Sequence, residues 1–155
     1  MHYSEFTNLG HGITCIDTLQ HRAGLAACYL VEEDGRAAVI DTGHSLCTPR
    51  ILALLAAKGV ALENVDYVMP THVHLDHAGG AGSLMRERPN AKLIMHPRGA
   101  RHMVDPSKLI AGATAVYGAE GLKQQFGEIL PVDETRVVSI EDGDSFQLGQ
   151  RRLEL

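Results

Sequence analysis

Four side chains of metal-binding type fall within six consecutive residues, immediately after a short apolar run. The run covers residues 65–69 and ends at Pro70. The four side chains belong to His72, His74, Asp76 and His77. A short apolar run that ends at a proline predicts a buried strand, so the four donors lie in the loop at its C-terminal end. The fold must therefore present a strand end at which several donor atoms can converge.

The spacing of these residues predicts two metal positions. His72 and His74 are two residues apart in an extended loop, so both imidazoles project to one side and can face one cation. Asp76 and His77 follow where the chain turns into a helix, which directs them toward a neighbouring position for a second cation. Imidazole and carboxylate donors bind zinc at about 2.0–2.2 Å. We therefore predict two divalent ions, zinc first, with iron or manganese as alternatives.

Each of these residues also has an ordinary structural interpretation. Asp76 alone could cap a helix that begins near His77. His96 ends the next strand and could approach the site, but hydrogen bonding to the backbone is the simpler expectation. A single loop histidine is usually solvated, which we expect of His2, His11, His21, His44 and His102. Gly79, Gly80 and Gly82 lie in the predicted first turns of the helix after the histidines. Glycines at such positions cost stability, so they indicate a close approach of backbone or ligand.

The rest of the chain predicts an α/β layer. Strands at residues 25–31 and 36–41 are joined across Asp34-Gly35 as a hairpin. Thr48 can cap, and Pro49 can open, a helix that Gly59 ends. We further expect a helix within 78–88, a strand at 91–95, two or three helices within 98–126, and strands at 136–140, 145–148 and 152–155, joined at Asp142-Gly143 and Gly149-Gln150. Strand, helix, strand is the order of an α/β layer.

Composition limits the class of protein. A length of 155 residues with 45% hydrophobic side chains suits one globular domain. The net charge of −5 offers no basic field for phosphates, so we expect a small-molecule substrate and no nucleic-acid partner. Cys15, Cys28 and Cys47 are widely spaced, which predicts buried, reduced thiols. No signal-type N-terminus or membrane-length apolar stretch is evident, so we expect a cytoplasmic protein with no membrane partner.

The segment Thr71 to Gly80, THVHLDHAGG, resembles the metal-binding loop of the metallo-β-lactamase superfamily, in its glyoxalase II-like and lactonase-like form. Asp41-Thr42-Gly43 resembles an earlier element of that family, an aspartate that braces the metal loop; the alternative for Asp41 is a turn residue. The resemblance implies that His72 and His74 bind the first metal, and Asp76 and His77 the second. It also implies an αββα sandwich, with two mixed sheets between outer helices.

One departure from the family concerns the rest of the site. The family adds a histidine, a bridging carboxylate and another histidine from its C-terminal half, whereas no histidine follows His102 here. We therefore expect residues 1–155 to be one metallo-β-lactamase-like domain truncated at its C-terminal end, with a natural short product as the alternative. Such a chain should be poorly active alone, expose an apolar sheet face, and dimerise or aggregate.

The resemblance implies a metal-dependent hydrolase of an ester, thioester, lactone or lactam. The metals would lower the pKa of a bound water to about 7 and polarise the carbonyl, giving a metal-bound hydroxide that Asp76 could orient. The alternatives are a mononuclear-iron or di-iron oxidoreductase, a nuclease, and an inactive or weak metal-binding fragment. HxHxDH lacks the glutamate associated with di-iron flavoproteins, and the acidic balance disfavours a nuclease. Substrate contacts by Arg101, Lys108 or Tyr117 are possible, although solvated positions are the simpler interpretation.

Overall fold

A seven-stranded sheet organises residues 6–155, the part of the chain that the computed structural model describes. Strand order in the sheet follows sequence order. Its strands are β1 (Phe6–Gly10), β2 (Ile13–Asp17), β3 (Ala27–Glu33), β4 (Arg36–Ile40), β5 (Val65–Met69), β6 (Lys92–Met95) and β7 (Val137–Ser139). A separate hairpin contains β8 (Ser145–Leu148) and β9 (Arg151–Glu154).

The sheet has an antiparallel half and a parallel half. Neighbours from β1 to β4 pair antiparallel, and those from β4 to β7 pair parallel. The predicted hairpin between β3 and β4 is confirmed, with Asp34 at φ 52° and Gly35 at φ 74° in its turn. Strands β1 and β2 were not predicted from the sequence. Four of the five β1 residues are exposed, so the hydrophobic pattern of β1 is weak.

Helices connect the parallel strands. They are α1 (Thr48–Ala57), α2 (Leu75–Ala78), α3 (Ala81–Glu87), α4 (Pro97–Val104) and α5 (Ser107–Phe126), the last interrupted at Gly118 with φ 72° and ψ 162°. The expectation of two or three helices within 98–126 is therefore confirmed. The described residues contain no helix that is both long and apolar enough to cross a membrane.

Most of the core lies between the sheet and its helices. Leu30, Val39 and Leu93 point toward the helical side and are fully buried, together with Ile51 and Leu55 of α1. Their sequence neighbours Val31, Ala38 and Ile94 point to the opposite face, because successive strand residues alternate across a sheet. Full burial of one such aliphatic side chain contributes about 1.5–3 kcal/mol. The helical side is therefore the main source of stability.

The β8–β9 hairpin covers part of the opposite face and so forms a second β layer. Leu148 is fully buried against this face, and Phe146 packs edge-on to Tyr67 with ring centroids 5.6 Å apart. The Tyr67 hydroxyl donates a 2.7 Å hydrogen bond to the Gln147 carbonyl. The expectation of an exposed apolar face is therefore wrong where the hairpin lies, because residues after β7 fold back over the sheet.

Two local predictions are also wrong. β7 does not form a hairpin with β8: it pairs parallel with β6, while β8 pairs with β9. The turn at Asp142-Gly143 therefore carries the chain from one layer to the other. Thr48 is not the N-cap of α1, since Cys47 occupies that position and a preceding 3₁₀ turn, Ser45–Cys47, leads directly into the helix.

Candidate metal site

Two loops meet at the carboxyl edge of the sheet because β4 and β5 are parallel neighbours. Asp41 donates its backbone N–H to the carbonyl of Met69 at 3.1 Å, and Thr42 donates to the carbonyl of His77 at 2.7 Å. The N–H of Gly80 donates to the carbonyl of Gly43 at 2.9 Å. These bonds fix the histidine loop, residues 71–77, against the loop that follows β4.

Asp41 connects the two loops through its side chain. It is 6% exposed and holds a left-handed backbone with φ 57°, a conformation that is uncommon outside glycine. Its carboxylate accepts hydrogen bonds from the Thr71 N–H at 2.7 Å and the Thr71 hydroxyl at 2.9 Å. The same carboxylate lies 2.8 Å from Nδ1 of His77. Asp41 therefore does more than shape a turn, since it anchors both ends of the histidine loop.

The three histidine rings of the loop form one cluster. The ring centroids of His72 and His74 are 4.8 Å apart, and those of His72 and His77 are 4.2 Å apart. Nδ1 of His72 lies 2.9 Å from the Thr71 hydroxyl, just as Nδ1 of His77 lies against Asp41. His72 and His74 are exposed, so an ion can reach them from solvent. Two rings thus have one nitrogen held by the protein and Nε2 left for a ligand.

Asp76 and His77 are spaced as a donor pair. Oδ2 of Asp76 lies 3.5 Å from Nε2 of His77. Two donors on one tetrahedral zinc, each at about 2.0–2.1 Å, lie about 3.3–3.4 Å apart, so this spacing fits a shared cation. Asp76 is in the first turn of α2, whose N-cap is His74, so the capping interpretation of Asp76 is wrong.

The described donors do not by themselves complete the coordination of an ion. Between residues 6 and 155, no group of three or more histidine, cysteine, aspartate or glutamate side chains is placed to hold one ion. Zinc takes four ligands, so each pair would need further donors, from water or protein. The donor chemistry fits zinc-type ions, and the assignment of the four ligands stays a prediction.

Glycines let the backbone approach closely beside the histidine loop. A Cβ at Gly80 would lie 2.9 Å from the carbonyl oxygen of His44, and one at Gly82 would lie 1.9 Å from that of Leu130. Real Cβ atoms do not come so near to a backbone oxygen. The expected close approach is therefore confirmed at these two positions, and the partner is the backbone.

Two of the other histidines behave differently from each other. His96 is exposed and caps α4, accepting a 3.2 Å hydrogen bond from the Arg98 N–H at Nδ1, as expected. His44 was expected to be solvated but is only 6% exposed, because the loop after β4 is covered by its neighbours. Burial lowers the pKa of His44, against a smaller opposing effect from a hydrogen bond to the backbone of Thr18. His2 lies outside the described residues.

The prediction of buried, reduced thiols is confirmed for Cys28 and Cys47, but burial is wrong for Cys15. Cys15, Cys28 and Cys47 are free, and only Cys15 is partly exposed. No disulfide therefore constrains the loops of the carboxyl edge within residues 6–155.

A cavity of about 300 Å³ borders the histidine loop. It is lined by Gln20, His21, Leu25, His74, Leu75, Asp76, Tyr117 and Phe126. Tyr117 lines this cavity and is 42% exposed, so a substrate contact by Tyr117 stays a prediction, whereas Arg101 and Lys108 line a separate cavity of about 280 Å³. His21 is exposed, as expected, but borders the candidate site. Nothing in the spacing of these residues indicated that the loop after β2 and helix α5 would meet there.

Comparison with known proteins agrees with this architecture. The model of the metallo-beta-lactamase superfamily matches residues 21–155. The structure of Rm3 metallo-beta-lactamase is 24% identical with a TM-score of 0.70, covering 98% of this chain and 51% of that one. MIM-2 metallo-beta-lactamase is 26% identical with a TM-score of 0.65, covering 92% of this chain and 47% of that one. The chain thus spans about half the length of these structures.

A curated protein is similar over a shorter region. Recombination protein 2 of Haemophilus influenzae is 34% identical over 88 residues, which cover 54% of this chain and 10% of that protein. The match is therefore limited to a small part of a much longer chain.

Proposed function

The chain belongs to the metallo-beta-lactamase superfamily, and from that membership we propose that its protein is a metal-dependent hydrolase. The substrates are small molecules with an ester, thioester, lactone or lactam carbonyl. One observation carries the proposal: Nδ1 of His72 and of His77 is held by the protein, which leaves Nε2 for a cation, in a loop whose His74 and Asp76 line a cavity.

His72 and His74 hold one divalent cation in this proposal, and Asp76 and His77 hold a second. Zinc suits imidazole and carboxylate donors, and iron or manganese are the alternatives. When bound, the ions supply an activated water with a pKa of about 7 and polarise the substrate carbonyl.

Hydrogen bonds from the protein set the tautomer of two of these imidazoles. The Thr71 hydroxyl can donate its single hydrogen to Asp41, so its oxygen can accept the Nδ1–H of His72. The carboxylate of Asp41 accepts the Nδ1–H of His77. Both rings are then Nδ1–H tautomers whose Nε2 lone pair is free to bind a metal. Asp41 and Thr71 thus orient donors without touching the ion.

Asp76 has a further role at the substrate. Its side chain is 42% exposed and lines the cavity together with His74. The carboxylate is an acceptor that can orient the attacking water toward a carbonyl placed in the cavity. Leu75 and Phe126 line the same space and exclude bulk water from one side.

Hydrolysis by the zinc-loaded natural protein tests the proposal. We expect turnover of at least one member of a panel with an acetyl thioester, a γ-lactone, an aryl ester and a chromogenic β-lactam. Asp76→Asn should lower kcat/KM by at least about 100-fold, because a general base and a metal ligand are lost together. Asp105→Asn, which changes an exposed aspartate away from the cavity, is the matched control.

Absence of turnover with zinc, iron or manganese would contradict the hydrolase proposal. Oxygen consumption by the iron-loaded protein without hydrolysis would support the oxidoreductase alternative instead. Wild-type activity in Asp76→Asn would contradict the role assigned to Asp76.

We also propose a second candidate, hydrolysis of nucleic acid, because one relative over 88 residues is named Recombination protein 2. The net charge of −5 disfavours it, because binding to a phosphate backbone depends on basic residues. We expect the zinc-loaded protein to leave a fluorescent single-stranded DNA intact. Zinc-dependent cleavage that Asp76→Asn abolishes would favour this candidate over a small-molecule hydrolase.

A further inference from the structure

Tyr117 occupies a position that the core does not explain. It lies on α5, directly before the non-helical Gly118, and is 42% exposed. The buried residues of α5 are Leu122 and Phe126, both beyond that interruption. Val116, the preceding residue, is 74% exposed. The segment around Tyr117 is thus not held by burial of its own side chains, although it carries a large aromatic ring.

The Tyr117 ring forms one wall of the cavity beside the histidine loop. It packs edge-on to Phe126 with ring centroids 5.4 Å apart, and Phe126 is only 6% exposed. Both rings line the cavity together with Leu25 and Leu75. A buried partner fixes one side of the Tyr117 ring, while the other side stays accessible to a ligand.

The same cavity also has polar lining residues. His74 and Asp76 line it, so a substrate whose carbonyl lies at these donors places its remaining atoms against the apolar residues. The volume of about 300 Å³ is at the lower limit of ligand pockets, which range from about 300 to 1,000 Å³. The space suits one compact apolar group, such as an aryl ring.

The geometry points to Tyr117 as a specificity residue that selects substrates with a compact aryl group on the acyl side of the carbonyl. The inference rests on the proposed hydrolase function and adds the substrate class. Burial of an aryl group against Tyr117 and Phe126 removes apolar area from water, which favours aryl over methyl substrates.

Paired thioesters test this inference in the zinc-loaded natural protein. The phenylacetyl and acetyl thioesters of N-acetylcysteamine share a leaving group and differ by one phenyl ring. We expect wild-type kcat/KM to favour the phenylacetyl thioester by at least about tenfold. Tyr117→Ala should lower kcat/KM for the phenylacetyl thioester by at least about fivefold more than for the acetyl thioester, and so remove most of that preference.

Two further variants separate the ring from other effects. Tyr117→Phe keeps the ring and should keep the preference, since packing rather than the hydroxyl carries it. Val116→Ala changes the exposed neighbouring residue, which does not line the cavity, and should match wild type. Equal losses on both thioesters in Tyr117→Ala, or an unchanged preference, would overturn the inference.

Binding of the product acids distinguishes this inference from the hydrolase proposal. Calorimetric titration of phenylacetate and acetate into each variant needs no turnover. If no thioester is hydrolysed but phenylacetate binds more tightly than acetate, and Tyr117→Ala removes the difference, the cavity assignment stands and the hydrolase proposal fails. Equal binding of the two acids by the wild type would overturn the assignment of Tyr117.

Discussion

The helix-covered face of the sheet and its carboxyl edge use the same strands but leave their side chains in different states. On the face, Leu30, Val39 and Leu93 are fully buried among apolar neighbours. At the edge, Asp41 holds a left-handed backbone, and within residues 6–155 Nδ1 of the buried His44 has no hydrogen-bond partner. The face therefore supplies stability, while the edge keeps strained or unsatisfied groups near the candidate site. Substitutions on the face should change the free energy of unfolding, and substitutions at the edge should change metal binding.

The largest expected effect is at the edge. His72→Ala combined with His74→Ala should remove one of two zinc ions and leave the fold intact, because both side chains are exposed and water replaces an imidazole ligand poorly. Elemental analysis of the purified protein measures the zinc content. The double variant His11→Ala and His102→Ala, outside the histidine loop, is the control. Unchanged zinc in the first variant would refute the ligand assignment.

The next effect is on the helical face. Leu93→Ala should lower the free energy of unfolding by about 2–5 kcal/mol, because it removes a fully buried side chain and leaves a cavity. Urea denaturation of the metal-free protein measures it. Leu62→Ala, at a residue that is 43% exposed, should change stability by no more than about 0.5 kcal/mol. The zinc content per folded Leu93→Ala molecule should stay at the wild-type value; a lower content would mean that the face and the edge are not separable.

A smaller effect is expected where the two regions meet. Asp41→Asn should weaken zinc binding by about 10 to 100-fold without unfolding the protein, since it removes the carboxylate that holds His77. Asparagine tolerates a positive φ, so the backbone at φ 57° can persist. Asp34→Asn, at φ 52° in the hairpin turn, is the matched control. Competition with a chelator measures the zinc affinity. Equal zinc retention in the two variants would show that Asp41 is only a turn residue.

The smallest effect concerns pH. Burial lowers the pKa of His44, so below the ordinary histidine value of about 6.5 the unfolded chain binds the proton more readily than the folded chain. Stability is thus retained above that pH and lost as the pH falls. The free energy of unfolding of the metal-free protein should fall less steeply from pH 7.5 to 5.5 in His44→Gln than in wild type. Parallel curves for the two proteins would show that His44 does not contribute to the pH dependence of the free energy of unfolding.

Local patterns in the sequence were sufficient for much of the fold between β3 and β6. The Asp34-Gly35 turn, the stop at Gly59 and the strand that ends at Pro70 are each set by the backbone preferences of one or two residues. The position of His72 to His77 at a strand end followed from the same reasoning. Strand pairing was less accessible, because β7 can join either a hairpin or a parallel neighbour with the same local pattern.

By itself the sequence determined which donor types are present, their spacing, and the α/β layer that carries them. Only the tertiary structure decided that Asp41 reaches His77, 36 residues away, and that Tyr117 lines the same cavity as His74 and Asp76. It also decided that His44 is buried and that the β8–β9 hairpin covers the second face of the sheet. The physical reason is that spacing and propensity act over a few residues, whereas these contacts form when the parallel strands align their carboxyl ends and bring distant loops to one edge.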